Sequence, residues 1–340
     1  FNCVLVLGAG ASIAPAYGAE TLAEALGEGD TIIDLRARYE SVEQGGFASE
    51  AEALTNRLRA GFQTAPLKGT AFLVEGVIVD DLVDDYNSTT NGQAEYPVVA
   101  DPPDFAAINR FTIINKSLER TTLTFGRQRI IQDDQRFVGN VGWRQNEQTF
   151  DALRAQWGGA KFKTDLTYAS QVNRVFGPDS PQGKWEGDVM LTSFAYTLAI
   201  GTLSLFDYYH DIDGVAAVST NTTGMKLAGS KPLGKLTSTY ALAFAQQGEA
   251  GLNTADVDAD YGLIEGGLNF AKFGLGLGYE LLGGDGTTAF QTPLATLHAF
   301  QGWADKFLTT PAAGIEDAYL RLSYPLGKRG KFTSLAATAV

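Results

Sequence analysis

The chain has 340 residues, a formal net charge of -13, 44% hydrophobic residues, 39 glycines and a single cysteine. That acidity argues against nucleic acid as a partner, because phosphate binding needs a clustered basic face. No run of 18 apolar residues is available for a membrane-crossing helix, so the hydrophobicity is placed in alternate positions instead.

Residues 1–19 read as part of an export signal. Val4-Leu5-Val6-Leu7 opens an apolar stretch, and Ala14-Pro15-Ala16 and Tyr17-Gly18-Ala19 offer small residues to a signal peptidase. Cleavage after Ala19 is expected, with Ala16 the next choice. With no initiating Met and no basic flank, the sequence is expected to begin inside the signal. Gly8 and Gly10 match the start of a dinucleotide-binding glycine motif, but Ile13 takes the third glycine's place and no βαβ pattern follows. Cys3 lies in this segment, which leaves the mature chain no disulfide.

Residues 20–30 are expected to be a periplasmic lead-in with a short helix over 20–27. From Thr31 onward the sequence alternates with period two in segments of about ten residues. In 31–41, Ile33, Leu35, Ala37 and Tyr39 point one way and Asp34, Arg36, Arg38 and Glu40 the other. In 53–64, Leu54, Leu58, Ala60 and Phe62 oppose Thr55, Arg57, Arg59 and Gln63. A strand over 70–84 follows a tight turn, and a long polar loop, 86–104, contains Asn91-Gly92 and Pro102-Pro103. Strands near 107–118 and 121–130 precede another long loop, 131–147. Paired strands then recur near 149–158 and 161–172, 187–199 and 202–212, 217–229 and 236–248, 259–271 and 273–283, and 315–325 and 331–340. Short and long connections alternate, and the longest is 283–314.

The fold class is therefore all-β: an antiparallel transmembrane β-barrel over 31–340, with about fifteen strands present. Single-chain barrels carry an even strand number, and an open edge is not tolerated in lipid. The chain is thus expected to be truncated at its C-terminus, with roughly eighteen strands in the whole barrel. The outward series Phe162-Thr164-Leu166-Tyr168 and Phe273-Leu275-Leu277-Tyr279 is large and apolar, while the opposite face is polar or glycine. A soluble sandwich would place polar groups outside.

Leu123-Thr124-Phe125-Gly126-Arg127-Gln128-Arg129-Ile130, Phe137-Val138-Gly139-Asn140-Val141-Gly142-Trp143-Arg144-Gln145, Thr149-Phe150-Asp151-Ala152-Leu153-Arg154 and residues 290–307 resemble the alginate-export-domain family of outer-membrane porins. The likeness runs from about 31 to 340 and is strongest over 120–155. It implies a barrel integral to the bacterial outer membrane and, from the family's best-known member, passage of an acidic polysaccharide through an arginine-lined lumen.

Arg36/Arg38, Arg57/Arg59 and Arg127/Arg129 are i, i+2 pairs, so each pair shares a strand face. With Arg110 and Arg154 they form the expected substrate pathway, a basic stripe whose forked donors suit carboxylates. The competing reading is an arginine–carboxylate brace, with Asp34, Glu40, Glu75 and Asp165 as partners. Asp80, Asp81, Asp84, Asp85, Asp101, Asp104, Asp133, Asp134, Asp179, Asp211 and Asp213 are assigned to a solvated, loop-rich mouth that could hold Ca²⁺ shared with lipopolysaccharide. Asp256-x-Asp258-x-Asp260 opens like a calcium loop but lacks its glycine and closing Glu. In the 292–308 segment, Leu297, Phe300, Trp303 and Phe307 recur at near-helical spacing, so His298, Phe300 and Trp303 are assigned to a loop constriction or lid.

The expected function is a porin or export channel for a polar, anionic solute or polysaccharide. The alternatives are a plugged or gated barrel with a specific-channel or scaffold role, and a soluble carbohydrate-binding β protein. Two isolated histidines and no Ser/His/acid spacing leave no catalytic residue, cofactor or transition-metal site to expect.

Overall fold

The computed structural model describes residues 3–8, 18–270, 273–301, 306–329 and 332–339. Its elements are β1 (Cys3–Gly8), α1 (Leu22–Gly27), β2 (Asp30–Val42), β3 (Ala51–Gln63), β4 (Thr70–Asp85), β5 (Phe105–Asn115), β6 (Thr121–Gln128), β7 (Thr149–Gly158) and β8 (Phe162–Asn173). They continue with β9 (Lys184–Leu198), β10 (Gly201–Ile212), β11 (Thr220–Leu233), β12 (Leu236–Glu249), β13 (Asp258–Phe270), β14 (Phe273–Leu282), β15 (Ile315–Arg329) and β16 (Phe332–Ala339). Every strand is hydrogen-bonded to its chain neighbours in the order β1 to β16. Fifteen of these strands follow Asp30, as the alternation implies. The segment read as an export signal contributes β1, which lies antiparallel along Asp34 to Tyr39.

The short helix forms where Thr21 and Glu24 make a reciprocal capping box, satisfying the orphan N–H groups of its first turn. The Ala65 N–H donates to the Ala25 carbonyl at 2.9 Å, which seats α1 against a short turn.

The chain forms two compact units. The first comprises Phe1–Trp157, Thr167–Val189 and Thr292–Leu308, and the second Gly158–Leu166, Met190–Gln291 and Thr309–Val340. In the first, Arg36, Arg38 and Glu40 of β2 and Arg57 and Arg59 of β3 are buried, while Ile33 and Leu35 are exposed. Long loops cover that polar face. Tyr86 and Val99 of the 86–104 loop pack on Ala51 and Ala53, and Phe105 packs on Val77 and Val79. In the second unit the apolar groups of β13 and β14 face outward, with Phe273 62% and Leu277 60% exposed. Exposed apolar rows of this kind belong against hydrocarbon.

Leu277→Arg is accordingly expected to destabilise the folded state in lipid vesicles by about 2–4 kcal/mol, the cost of a basic side chain near the bilayer midplane. Equilibrium urea unfolding measures it; parent-like stability would place this face in water.

Three expectations on local structure change. Asp80, Asp81, Asp84 and Asp85 belong to β4 and Asp211 to β10, not to loops. These strands exceed the roughly 9–11 residues that cross hydrocarbon, so their ends stand in water, where a carboxylate costs little. Residues 231–233 and 326–329 continue their strands instead of turning. Gly234 lets the first of these hairpins close late, at φ +63, in the left-handed region a tight hairpin demands. The near-helical spacing over 292–308 yields only a 3₁₀ turn, Leu297–Ala299, among the described residues. Polar contacts of its backbone with another loop take the place of helical hydrogen bonds.

Candidate functional site

The β2–β3 register sets Arg36 opposite Arg57 and Asp34 opposite Arg59. Like charges facing each other across a ladder repel, so each guanidinium needs its own acceptor. Arg57 takes Asp34 at 2.7 Å, and Arg38 takes both Glu40 and the buried Asp101. Arg36 instead donates to main-chain carbonyls: Gly142 at 3.0 Å, Trp143 at 3.2 Å and Arg144. Its Nε donates to Gln145 Oε1 at 2.8 Å. The Gln145 amide in turn donates to Thr55 Oγ1 at 2.8 Å, and its backbone N–H to Asp101 at 2.8 Å. One arginine thus holds the tip of the 129–148 loop against the wall.

Glu147 is the second anchor, only 2% exposed. Its carboxylate accepts from Arg129 through both oxygens, from Asn109 at 2.8 Å and from Asn140 at 2.7 Å, and lies 3.5 Å from Arg59. Burial opposes ionisation there, but Arg129, Arg59 and the Asn109 amide outweigh it and hold the carboxyl at about pKa 2. A bulge in β5 makes this possible. The β4–β5 register slips between Glu75 and Gly76, so Asn109 and Arg110 both reach Glu75, at 2.7 Å and, through a bidentate fork, 2.9 and 2.6 Å.

The 292–301 segment docks on the same loop. Gly139 donates to the Leu294 carbonyl at 2.9 Å, and Thr296 Oγ1 donates to Gln135 at 2.7 Å and accepts from the Val141 N–H at 3.1 Å. His298 stacks on Trp143 with ring centres 4.1 Å apart, and the Arg38 guanidinium lies 4.6 Å from the Trp143 ring centre. Phe300 lies under the Arg136 guanidinium at 4.7 Å. Trp303 falls outside the described residues.

The fold therefore gathers Arg36, Arg38, Arg57, Arg59, Arg110 and Arg129 into one polar layer with Glu75, Asp101, Gln145 and Glu147. Arg127 stands apart, forked onto Asp151 at 2.7 and 2.8 Å. Gly126 adopts φ +109 beside it, where an added Cβ would sit 2.2 Å from the Phe111 carbonyl oxygen. Arg154 lies on β7 opposite Thr124. Gln145, Glu147 and Asn109 escape a reading by alternation. The first two sit in a loop without period and the third at a bulge. The one signal was the unbroken polar run Arg144-Gln145-Asn146-Glu147-Gln148.

Among the described residues, Nε of Arg57 and Nε and Nη2 of Arg59 are buried with no hydrogen-bond partner. No group of three or more His, Cys, Asp or Glu with metal-holding geometry occurs among the described residues.

The model of the alginate export family matches residues 83–280, more than half of the chain. Solved structures from Pseudomonas aeruginosa are similar in fold. OccK9 (OpdG) shares 14% identity at a TM-score of 0.67, over 88% of this chain and 79% of its own. OccD3 (OpdP) shares 12% at 0.60, over 86% and 67%. OccK2 (OpdF) in complex with glucuronate shares 14% at 0.63, over 87% and 75%. No curated protein matches. At these identities the structural likeness fixes the fold, an antiparallel transmembrane β-barrel.

Proposed function

The chain belongs to the alginate export family and is an integral outer-membrane porin, and from that premise we propose that it passes polar, anionic solutes along the arginine stripe of its first unit. The observation that carries this reading is the unequal use of the guanidinium groups. Arg36, Arg38, Arg110 and Arg129 are committed to acceptors of the protein, whereas Arg57 and Arg59 keep buried N–H donors unused. Unmet donors on a cation in a low-dielectric site favour an arriving carboxylate, which accepts two N–H bonds at once. The glucuronate in the similar OccK2 structure is a solute of this chemistry. Membership in this family sets aside the soluble carbohydrate-binding alternative.

The gated form of the reading is supported by the 129–148 loop and the 292–301 segment with His298 and Phe300, which both lie over the arginine face. They would narrow the route and set which solutes pass.

Neutralising both residues, as Arg57→Gln with Arg59→Gln, is expected to shift the reversal potential in a KCl gradient toward cation preference. Planar-bilayer recording reads it. Unchanged selectivity would make the stripe a wall brace and no more.

A further inference from the structure

The charges of the second unit are segregated along its strands. Lys161, Lys163, Lys231, Lys235, Lys328 and Arg329 lie in short connections or within three residues of one. Asp211, Glu249, Asp258, Asp260, Glu280 and Glu316 lie within three residues of the long connections 213–219, 250–257 and 283–314. In an outer-membrane barrel the short turns meet the periplasmic side. The basic ends therefore stand at the periplasmic leaflet and the acidic ends at the outer one.

Lys231 has an unusual place among these cations. It is opposite Ser238 in the ladder, Ser238 is opposite Leu268, and Leu268 is opposite Leu275. Directly paired residues share a face, so Lys231 projects on the lipid side with Leu268 and Leu275. The next row toward the turn is Leu233, Leu236, Phe270 and Phe273. Leu233 and Phe270 are exposed there. The row behind Lys231 is closed by Tyr240, which covers Gly229 and donates its hydroxyl to the Ile200 carbonyl. Lys231 thus leaves the wall between apolar and aromatic rows, roughly 6–7 Å along the strand from Leu233. Lys235 follows in the turn itself.

The protein gives these two ammonium groups no counter-charge. Among the described residues no carboxylate pairs with either of them. The sequence holds no Asp or Glu between Lys226 and Glu249, nor in the neighbouring stretches 199–206 and 266–277. A cation on the hydrocarbon side needs an anion or water, and a lysine near a strand end reaches it by extending its stem toward the headgroups. The anion at that depth is the phosphate of a lipid. A headgroup with net negative charge fits better than a zwitterionic one, because the ammonium of phosphatidylethanolamine would meet two like charges with no carboxylate to balance them.

We propose that the outward face of the β11–β12 hairpin is a docking surface for an anionic glycerophospholipid of the periplasmic leaflet. Lys231 and Lys235 hold the phosphate, and the acyl chains lie against Leu233, Leu236 and Phe270. This surface works whether or not the arginine stripe selects anions.

Native mass spectrometry of the detergent-solubilised full chain, mixed with equimolar phosphatidylglycerol and phosphatidylethanolamine, is expected to show phosphatidylglycerol retained in preference. Lys231→Gln with Lys235→Gln should weaken that retention at least fivefold, roughly what one lysine near a charged bilayer supplies. Lys231→Arg with Lys235→Arg keeps both charges and should keep the preference. Heat-modifiable migration reports that each variant retains the folded barrel. Equal retention of the two lipids by the parent protein, or an unchanged preference in the glutamine pair, overturns the surface. A loss as large from Lys161→Gln would make the attraction a diffuse property of the short-turn end, and it too overturns the site.

Discussion

Glu147→Gln is expected to release the 129–148 loop and raise single-channel conductance. The carboxylate is nearly inaccessible and answers Arg59 and Arg129 together, with Asn109 and Asn140 completing its shell. The amide keeps the shape but removes the charge, and it turns an N–H₂ group toward donors. Removing one partner of a buried ion pair costs about 3–5 kcal/mol, because the remaining charges stay desolvated. That is roughly a 10²–10⁴-fold shift between seated and released loop. Hydrogen exchange of residues 131–148 should accelerate along with the conductance. If both match the parent, Glu147 does not hold the loop. The same anchor has a pH signature of defined sign. Its folded pKa is depressed to about 2 from 4.5, so its contribution is full above pH 4.5 and fades as pH falls toward 2. Loop exchange in the parent should rise across that acid window, and Glu147→Gln should flatten the rise.

Arg36→Met is expected to have the next largest effect. It strands the carbonyls of Gly142, Trp143 and Arg144, together with Gln145 Oε1, at a site the loop itself closes off. Each unpaired buried polar group costs about 1–3 kcal/mol unless water reaches it. The least costly response is for the loop to lift, exposing the buried Arg144. Tryptic cleavage after Arg144 should therefore speed up by at least tenfold in folded protein. Arg36→Lys should fall between, since an ammonium brings charge without the planar fork. Because Arg36 and Glu147 restrain one loop, the double variant should cost less than the sum of the two. Cleavage at the parent rate in Arg36→Met would show that the carbonyl contacts are incidental.

Several features of the site are legible in the amino-acid sequence. The parity of Arg36, Arg38, Arg57 and Arg59 placed them on one face, and Asp34, Glu40 and Glu75 are indeed bound to arginines. The strand β6 is harder to read, since Phe125 shares the parity of Arg127. Phe125 is exposed while Arg127 is forked onto Asp151, with Gly126 in a positive-φ conformation between them. The spacing of Leu297, Phe300 and Phe307 suggested a helix, and among the described residues only the 3₁₀ turn Leu297–Ala299 forms there, with Phe300 under the Arg136 guanidinium.

The sequence by itself determined the alternation of faces, the number of strands after Asp30, the short helix before them and the side on which the arginines of β2 and β3 stand. Each of these follows from neighbours a few residues apart, where backbone geometry alone dictates direction. Only the tertiary structure decided which acceptor each arginine takes and which loop covers the stripe. Arg36 meets Gln145 across 109 residues and Asn109 meets Glu147 across 38. Loops without periodic pattern choose such partners by burial and charge, and those forces act only once the wall has formed.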